Sequence, residues 1–396
     1  MNKLNDLQTV ELDILKEFAR VAKRENLTWF SMFGTLLGAV RHNGFIPWDD
    51  DIDIALPRKE YDRLRVSQHW FSEPYFLQTP QNDPAAAPHF LRLRRSDTTV
   101  LVNFPNGNTR GGHMGAYIDI LPLDDMPNGG VAKSVQDTVL KIQNQMYASA
   151  ALDECEGAEI PEGKEQFCYG AGGISGQYDF LAERYERFCS KYSNQLYYAI
   201  PVLRGEYGKR VYDKKWFSES VEMDFEGLKI PVPVGYKETL IASYPEGLYE
   251  PDLKDRTPKH GKSTIIDVSL PYTHYVRRYT DMLNGIEDKK IYIFGAGDSL
   301  RIWMERYSKD LQVVCAFDNR KDAWGSCAYG VPVRSPSELP GLIDENSRLI
   351  IASIYHKEIA KQLKEMNVFD YYFFIDGLKY SNRNGGNHEE NRDFYM

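Results

Sequence analysis

A dense run of carboxylates lies in the segment GFIPWDDDIDIA, which covers residues 44–55. Four aspartates occur within five residues there, and apolar residues enclose them on both sides. Like charges at this density repel one another, and apolar neighbours predict partial burial, which raises the cost of each charge. Either a bound metal ion or full exposure to water in a surface loop would offset that cost. The segment is therefore the first candidate for a functional site.

Polar and apolar residues alternate from Asp51 to Ala55, which predicts a half-buried strand. Residues two apart on a strand face the same side, so Asp49, Asp51 and Asp53 would share one face while Asp50 points away. Carboxylate oxygens are the ligands that Mg²⁺ favours, together with substrate phosphates. The pattern predicts a magnesium site that opens into a cleft. The incomplete EF-hand spacing argues against a calcium loop.

Four more residues extend this candidate site. Asp119 lies in a second alternating strand, predicted over 116–123, and would supply a third carboxylate if that strand is a neighbour in the sheet. Gly34 and Thr35 stand at the start of a helix predicted to end at Arg41, where free backbone N–H groups can bind phosphate. Arg41 is either a phosphate clamp or an ordinary ion-pair partner of the aspartates. A structural role for Asp119, such as capping a loop, also remains open.

A glycine and a hydroxyl at a helix start, then an Asp-x-Asp strand and a later strand carboxylate, are the plan of the nucleotidyltransferase superfamily. The segment GTLLGAVRHNGFIPWDDDIDIALPRKEYDRL (34–64) resembles the signature of the LicD family more closely still. GAYIDILPLDDMP (115–127) and the segment 225–252 resemble two further family blocks, so the similarity spans about residues 10–265. The third block departs from the family where Tyr244-Pro245-Glu246 replaces Tyr-Gly-Asp. Residues 130–210 have no match, and we expect them to shape acceptor specificity.

The resemblance implies a phosphotransferase that uses Mg²⁺ or Mn²⁺. It makes Asp51, Asp53 and Asp119 the catalytic, metal-binding acids, with Asp119 as either a ligand or a general base. The implied substrate-binding residues are Gly34, Thr35, Arg41 and Asp49. LicD proteins are best known for moving phosphocholine from CDP-choline to cell-surface glycans. We therefore expect a CDP-alcohol donor, with phosphocholine the leading candidate, and a glycan or lipid-linked saccharide acceptor.

Two rival functions remain open. A nucleotidyltransferase would add a nucleoside monophosphate to a sugar phosphate and release pyrophosphate. A non-catalytic scaffold would bind nucleotide and organise polysaccharide assembly, although the intact Asp-x-Asp pattern argues against it. The released product separates the first rival from a phospho-alcohol transferase, because the transferase releases CMP.

The fold class expected is α/β, in two domains. Residues 1–280 would form a LicD-type catalytic domain with an α+β nucleotidyltransferase-like fold and added helices. The predicted elements of this domain include an amphipathic helix over 4–25 and a mostly helical stretch over 132–200 with a glycine-rich break at 169–173. Residues 288–380 alternate strands with helices, which predicts a parallel sheet. They resemble small Rossmann-like domains of sugar-modifying enzymes, and the polar tail 381–396 is predicted to be disordered.

The second domain carries a glycine turn, Gly295-Ala296-Gly297, after its first predicted strand. Leu300 replaces the third glycine of a dinucleotide fingerprint, so the match is incomplete. Asp318 ends the next strand, where a ribose-binding acid would lie. Gly295, Gly297 and Asp318 are thus candidate cofactor-binding residues, beside the alternative that the domain is only structural.

Composition restricts the remaining classes. With 48 Lys and Arg against 57 Asp and Glu, the net charge is −9, which argues against a nucleic-acid partner. Five cysteines without a CxxC pair indicate neither a disulfide framework nor a zinc ribbon. The N-terminus lacks the apolar core of a signal peptide, and no run of about 18 apolar residues occurs. We expect a cytoplasmic protein, and the envelope pathway suggests peripheral association with the inner face of the membrane.

Overall fold

The computed structural model describes residues 4–79, 81–83, 90–101, 113–127, 130–135, 138–139, 191, 195–200, 210–245, 265–309, 311–353 and 355–374. Several sequence-based predictions lie outside these ranges. They are the glycine-rich break at 169–173, most of the helical stretch 132–200, and the tail 381–396. Residues 249–262, whose charged composition predicts a loop and which include His260, also lie outside these ranges.

The described helices and strands up to residue 280 are, in chain order, α1 (Asp6–Glu25), β1 (Phe30–Ser31), α2 (Phe33–His42), β2 (Asp53–Pro57), α3 (Arg58–Arg65), β3 (Tyr75–Gln78), β4 (Leu91–Arg95), β5 (Thr99–Leu101), β6 (Tyr117–Met126), β7 (Tyr197–Ala199), β8 (Tyr212–Asp213), β9 (Ser220–Phe225), β10 (Leu228–Pro233), α4 (Tyr236–Ser243), β11 (Ile265–Asp267) and α5 (Tyr272–Thr280). Those after residue 280 are β12 (Lys290–Phe294), α6 (Asp298–Tyr307), β13 (Val313–Phe317), β14 (Cys327–Ala328), β15 (Val331–Arg334), β16 (Ser347–Ile351), α7 (His356–Glu365) and β17 (Tyr372–Phe373).

A mixed sheet with the strand order β1-β2-β6-β4-β3 forms the centre of the N-terminal part, and β7 and β8 extend it from β6. Strands β2 and β6 run parallel, whereas the other neighbours in this order pair antiparallel. Helix α3 follows β2 directly and packs on both β2 and β6. The two parallel strands are therefore central, and the predicted acidic residues lie where they begin.

Helix α1 covers one face of this sheet and confirms the helix predicted over 4–25. It begins with a capping box in which the Asn5 side chain accepts from the backbone N–H of Gln8, while the Gln8 side chain accepts from the N–H of Asn5. It ends at Asn26 in the left-handed conformation. Its apolar stripe shares one core cluster with alternate residues of the three central strands: Ile14, Leu15, Phe18 and Val21 with Ile54, Leu91, Leu93, Ile118 and Ile120.

The strand predicted from Asp51 to Ala55 is present, but its predicted first residue is wrong. Strand β2 begins at Asp53, and residues 49–52 form a loop that enters it. The reason lies upstream, where the N–H of Asp49 donates to the carbonyl of Ile46 at 2.9 Å and closes a turn. Asp49 therefore does not continue the strand face that carries Asp53, contrary to the expectation from alternation alone.

The sequence over 216–233 also predicts two paired strands with Glu226-Gly227 as the turn, and the structure confirms them as the hairpin of β9 and β10. Its turn consists of Glu226 and Gly227, which both have positive φ angles of 50° and 80°. Two positive φ angles in a two-residue turn match the right-handed twist of the flanking strands, and glycine is the residue that adopts them readily.

The C-terminal sheet has the strand order β14-β15-β13-β12-β16-β17, and five of these strands, β15, β13, β12, β16 and β17, run parallel to one another. Strand β14 pairs with β15 in the antiparallel direction. The assignment to a Rossmann-like class and the domain boundaries at 280 and 288 stay predictions. Among the described helices, none combines the length and the apolar character that crossing a membrane requires.

Residues from both sides of that boundary share one apolar cluster. Leu101 and Ile265 pair across β5 and β11, and they lie in the same buried cluster as Met114 and Tyr275. This cluster continues into the C-terminal sheet through Tyr292, Phe294, Phe317, Leu349 and Ile351. Burial of these side chains away from water joins the two parts of the chain.

Candidate active site

A row of three charged residues crosses the central sheet. Asp53 of β2 is the register partner of Asp119 on β6, and Asp119 is in turn the register partner of Arg92 on β4. Residues directly opposite on neighbouring strands project to the same face at about 5 Å between their Cβ atoms. The structure therefore brings Asp53 and Asp119 together on the sheet face opposite α1. The sequence predicts these two aspartates as members of one site.

Arg92 engages the Asp119 carboxylate. Its Nε donates to Oδ1 of Asp119 at 2.6 Å, and the carboxylate and the guanidinium are both mostly shielded from water, with 16% and 17% of the side chains exposed. The Arg92 guanidinium also lies over the Tyr117 ring, with its Cζ 3.9 Å from the ring centroid. Because Asp119 and, more weakly, Asp53 stabilise the positive charge, the pKa of Arg92 is raised although burial alone would lower it.

Sequence reasoning missed Arg92, although a signal for it was present. In the segment LRLRR of β4, the leucines face the core shared with α1, and Arg92 and Arg94 alternate with them. The alternation places Arg92 on the polar face. Only the strand order shows that this face is shared with Asp119.

The loop from Asp49 to Ile52 packs the first aspartates tightly against helix α2. A Cβ atom added to Gly34 would lie only 2.2 Å from Oδ2 of Asp49, so a side chain at this position would displace the Asp49 carboxylate. Asp49 and Asp50 are both buried, and the backbone carbonyl of Asp49 accepts from Nε2 of Gln8 at 2.8 Å. The first turn of α2, predicted to bind phosphate, thus lies beside a carboxylate in this structure.

Thr35 connects α2 to the start of β2. It is buried, and its Oγ1 accepts a hydrogen bond from the backbone N–H of Asp53 at 2.8 Å. Phe33, two residues earlier, has a φ of 45°, which is unusual for a bulky residue and marks a conformation held by its surroundings. Arg41 is exposed in the last turn of α2, about 10 Å along the helix axis from Gly34. The structure does not bring Arg41 beside the first turn, and its role in binding phosphate stays a prediction.

Glu11 is a further acidic residue near the cluster that sequence reasoning missed. It lies on the buried side of α1 with 3% of its surface exposed, and its Oε2 has no hydrogen-bond partner among the described residues. Burial raises the pKa of Glu11 well above its ordinary value, and the charges of Asp51 and Asp50 raise it further. The available signal was the polar pair Gln8 and Glu11 on the otherwise apolar side of an amphipathic helix.

The donor chemistry of this site fits a hard divalent cation, because carboxylate oxygens dominate it. The buried Glu11 oxygen without a hydrogen-bond partner lies in the same acidic surroundings. Within the described residues, however, no three His, Cys, Asp or Glu side chains are positioned to hold one ion together. The pairing of Asp119 with Arg92 gives a physical reason, since the predicted third ligand is directed to a guanidinium.

The glycine turn of the C-terminal part lies after β12, next to the end of β13. Gly295 has a φ of +119°, and a Cβ there would lie 2.3 Å from the carbonyl oxygen of Ala352. Oδ2 of Asp318 accepts from the N–H of Ala296 at 3.0 Å, and its Oδ1 accepts from the N–H of Arg320 at 2.8 Å. The structure brings Asp318 to the glycine turn, where the carboxylate holds the backbone. A cofactor-binding role for these residues stays a prediction.

Comparison with known proteins agrees with the geometry of the first site. Residues 26–134 match the family described as LicD/FKTN/FKRP, nucleotidyltransferase domain. This segment is similar to the nucleotidyltransferase domain of the LicD family. It contains the whole charged row, together with Gly34, Thr35 and the Asp49–Asp51 loop.

The lipopolysaccharide cholinephosphotransferase LicD of Haemophilus influenzae is 26% identical to the chain over 269 residues, which cover 66% of the chain and 98% of that protein. An uncharacterised protein of Rickettsia prowazekii is 40% identical over 52 residues, 13% of the chain and 20% of that protein. A second uncharacterised protein, from Rickettsia typhi, is 40% identical over 47 residues, 12% of the chain and 15% of its own length. Residues 287–372 match a different family, described as C2185-like, N-terminal. The LicD similarities support a LicD-like phosphotransferase.

Proposed function

We propose that the protein is a metal-dependent transferase that moves a phospho-alcohol, foremost phosphocholine, from a CDP-linked donor to a hydroxyl group of a cell-surface glycan or glycolipid precursor. The observation that carries this proposal is the pairing of Asp53 with Asp119 across parallel strands inside the segment similar to the LicD family. The similarity to a lipopolysaccharide cholinephosphotransferase over 98% of its length supports the choice of phosphocholine and of a glycan acceptor. A lipid-linked acceptor would place the enzyme at the inner face of the membrane.

In this proposal Asp51 and Asp53 would hold Mg²⁺ or Mn²⁺, and Asp119 would act as a third ligand or as the base. When bound, the cation neutralises charge on the diphosphate and on the leaving CMP. The acceptor oxygen attacks the phosphorus that carries the alcohol, and the bond from that phosphorus to the CMP oxygen breaks. The proton of the acceptor hydroxyl passes to a carboxylate of the row. The protein contributes position and charge, as expected for phosphoryl transfer.

A donor screen tests this function directly. Purified protein with Mg²⁺ is incubated with CDP-choline, CDP-ribitol or CDP-glycerol and a lipopolysaccharide or oligosaccharide acceptor, and the released nucleotide is measured. We expect CMP that depends on both the acceptor and the metal. Release of pyrophosphate from CTP and a sugar phosphate would instead establish the nucleotidyltransferase alternative. Nucleotide binding without either product would favour the scaffold.

Replacement of the proposed metal ligands is expected to lower turnover strongly without unfolding the protein. Asp51→Asn and Asp53→Asn each remove one charged ligand, and loss of several kcal/mol of charge stabilisation lowers the rate by on the order of 10²–10³-fold. Asp224→Asn is the matched control, because this exposed carboxylate lies on the β9–β10 hairpin and forms a surface ion pair with Lys229. CMP release and the melting temperature are measured for all three. Full activity in either site variant would contradict the proposed mechanism.

A further inference from the structure

Arg92 is fixed in place by more than its ion pair with Asp119. The register of β4 against β6 sets its backbone position, and its guanidinium lies 3.9 Å from the centroid of the Tyr117 ring and 5.6 Å from that of Phe90. Stacking on aromatic rings holds a guanidinium in one plane without using its N–H groups. The cation would therefore stay at this position if Asp119 were withdrawn.

The hydrogen bonding of Arg92 is incomplete. A guanidinium carries five N–H donors, yet only Nε of Arg92 makes a hydrogen bond to a described residue, and that bond goes to a single oxygen of Asp119. The paired fork geometry in which arginine best binds carboxylate or phosphate is not used here. The remaining donors are available to an anion that enters the site.

The charges around Arg92 indicate when such an anion could bind. Asp53 and Asp119 are direct neighbours across parallel strands, so in the absence of a metal ion the arginine provides the positive charge that offsets their repulsion. A divalent cation bound by the aspartates would take over this task. Arg92 would then be left beside the cation with its hydrogen-bonding capacity released.

We propose that Arg92 binds a phosphate group of the nucleotide donor, and that it exchanges its bond to Asp119 for one to phosphate when the cation and the donor enter. This inference rests on the proposed function and adds a donor-binding residue to it. In the free enzyme Arg92 holds Asp119; in the loaded enzyme Asp119 turns to the metal and the guanidinium turns to the diphosphate. The exchange accounts for the lack of a preassembled three-carboxylate cluster among the described residues.

Calorimetric titrations with Mg²⁺ alone, and with CDP in the presence of Mg²⁺, test the exchange in the full chain. Arg92→Met keeps the length of the apolar stem and its contact with Tyr117 but removes the charge. We expect this variant to bind Mg²⁺ about tenfold more tightly, because Asp119 is freed and a nearby positive charge is lost. We expect it to bind CDP about 10- to 100-fold more weakly, because charge-assisted hydrogen bonds to phosphate are missing.

The opposite signs of these two changes distinguish exchange from a purely structural role, which would weaken both affinities together. Arg95→Met is the control on the same strand, since Arg95 pairs with Asp13 and Asp97 outside the row. Unchanged CDP affinity in Arg92→Met, or parallel loss of Mg²⁺ and CDP binding, would overturn the proposal. If wild-type protein releases CMP but Arg92→Met binds CDP normally, only the role of Arg92 fails; if wild-type protein binds neither Mg²⁺ nor CDP, the proposed function fails with it.

A second variant keeps the test decisive if Arg92→Met does not fold. Asp119→Asn leaves the arginine in place but removes its charged partner, so CDP in the absence of metal should bind several-fold more tightly than to the wild-type protein. Asp119→Asn with unchanged or weaker metal-free binding of CDP would contradict the exchange. Melting curves of every variant show whether the fold is retained.

Discussion

Thr35 illustrates how a single side chain positions the site. Its hydroxyl oxygen accepts from the N–H of Asp53, so the end of a loop of like charges is attached to the first turn of α2. Because Thr35 is buried, the N–H of Asp53 has no easy replacement from water if the hydroxyl is removed.

Thr35→Val is expected to destabilise the protein by about 1–3 kcal/mol, because an isosteric methyl leaves a buried N–H without its acceptor. CMP release should fall as Asp53 loses its fixed position. Thr35→Ser retains the oxygen and serves as the control, with smaller effects on both measurements. Urea unfolding and the CMP assay provide the readouts. Equal free energies of unfolding for the Val and Ser variants would show that this hydrogen bond does not contribute to stability.

The sequence was sufficient to predict the acidic site residues that alternate with apolar residues on a strand. It was not sufficient to predict the residues that contact them. Asp53 and Asp119 could be found because each lies between apolar residues, and this alternation reports which face a side chain takes. Arg92 and Glu11 could not be assigned to the site, because their relevance depends on which strand or helix lies next to Asp119 and Asp51. That information is in the strand order, which no local pattern contains.

Helix α3 is attached to the strand that carries Asp119 by a buried ion pair. Nε and Nη2 of Arg58 donate to the two carboxylate oxygens of Asp124 on β6 at 2.6 and 2.8 Å, and the Asp124 side chain is fully buried. Two parallel hydrogen bonds of this kind fix direction as well as distance. The element that follows β2 is thus locked to the neighbouring strand.

Arg58→Met should destabilise the protein by about 3–5 kcal/mol, because it leaves the carboxylate of Asp124 buried without its cation. Arg63→Met on the same helix is the matched control: Arg63 pairs with Glu60 at the surface, and exposed pairs contribute little. Chemical unfolding of both variants measures the difference. Similar losses in the two variants would contradict the importance assigned to the buried pair.

The two glycines of the turn after β12 are constrained differently by their surroundings. Gly295 has a positive φ and lies against the backbone of Ala352, whereas a Cβ at Gly297 would have no atom within 4 Å. Gly295→Ala is therefore expected to lower the free energy of unfolding by about 1–3 kcal/mol from backbone strain alone. Gly297→Ala is expected to leave the free energy of unfolding nearly unchanged. Thermal unfolding tests both, and equal melting temperatures would be inconsistent with the described turn.

Element types were more predictable than element ends. The helix over 4–25 and the hairpin around Glu226-Gly227 follow from spacing and turn chemistry, and the structure confirms them. The start of β2 was wrong because alternation alone cannot show that a backbone turn from Ile46 to Asp49 delays the strand. Local hydrogen bonds of loop residues decided where the strand begins.

His113 lies where the central sheet meets helix α5. Its ring is stacked on Phe76 at 4.7 Å and lies 4.7 Å from the ring of Tyr272 on α5, so it is part of the contact between the central sheet and the segment that leads to the C-terminal sheet. Burial, with a smaller effect of the charge on Arg94, lowers the pKa of His113 to about 3.

A lowered pKa in the folded state makes stability depend on pH in a defined direction. Between the ordinary histidine pKa of about 6.5 and the folded value, the unfolded chain binds a proton that the folded chain does not, so the free energy of unfolding falls as the pH falls through this window. His113→Gln should remove this contribution, so the stability gap between wild type and variant should narrow from about pH 7 to about pH 4.5. Urea titrations at several pH values measure the difference in the free energy of unfolding between wild type and variant, and His69→Gln at an exposed histidine is the control. A difference that does not depend on pH would contradict the conclusion that the buried His113 ring is neutral in the folded protein.

For the molecule as a whole, the sequence predicted two parts, one rich in catalytic signals and one with alternating strands and helices. What it could not predict is the degree to which these parts share a core. Leu101, Met114 and Tyr275 look like ordinary apolar residues of the first part, and their contacts with the C-terminal sheet depend on tertiary packing alone.

This common core restricts how the gene can be rearranged. A recombination event that moved only the catalytic segment into another gene would leave Leu101, Met114, Ile265 and Tyr275 in water, on a patch that favours aggregation. Such a transfer would succeed only together with substitutions that make this patch polar, or with a new domain that covers it. In this chain the two segments therefore depend on each other for the burial of these side chains.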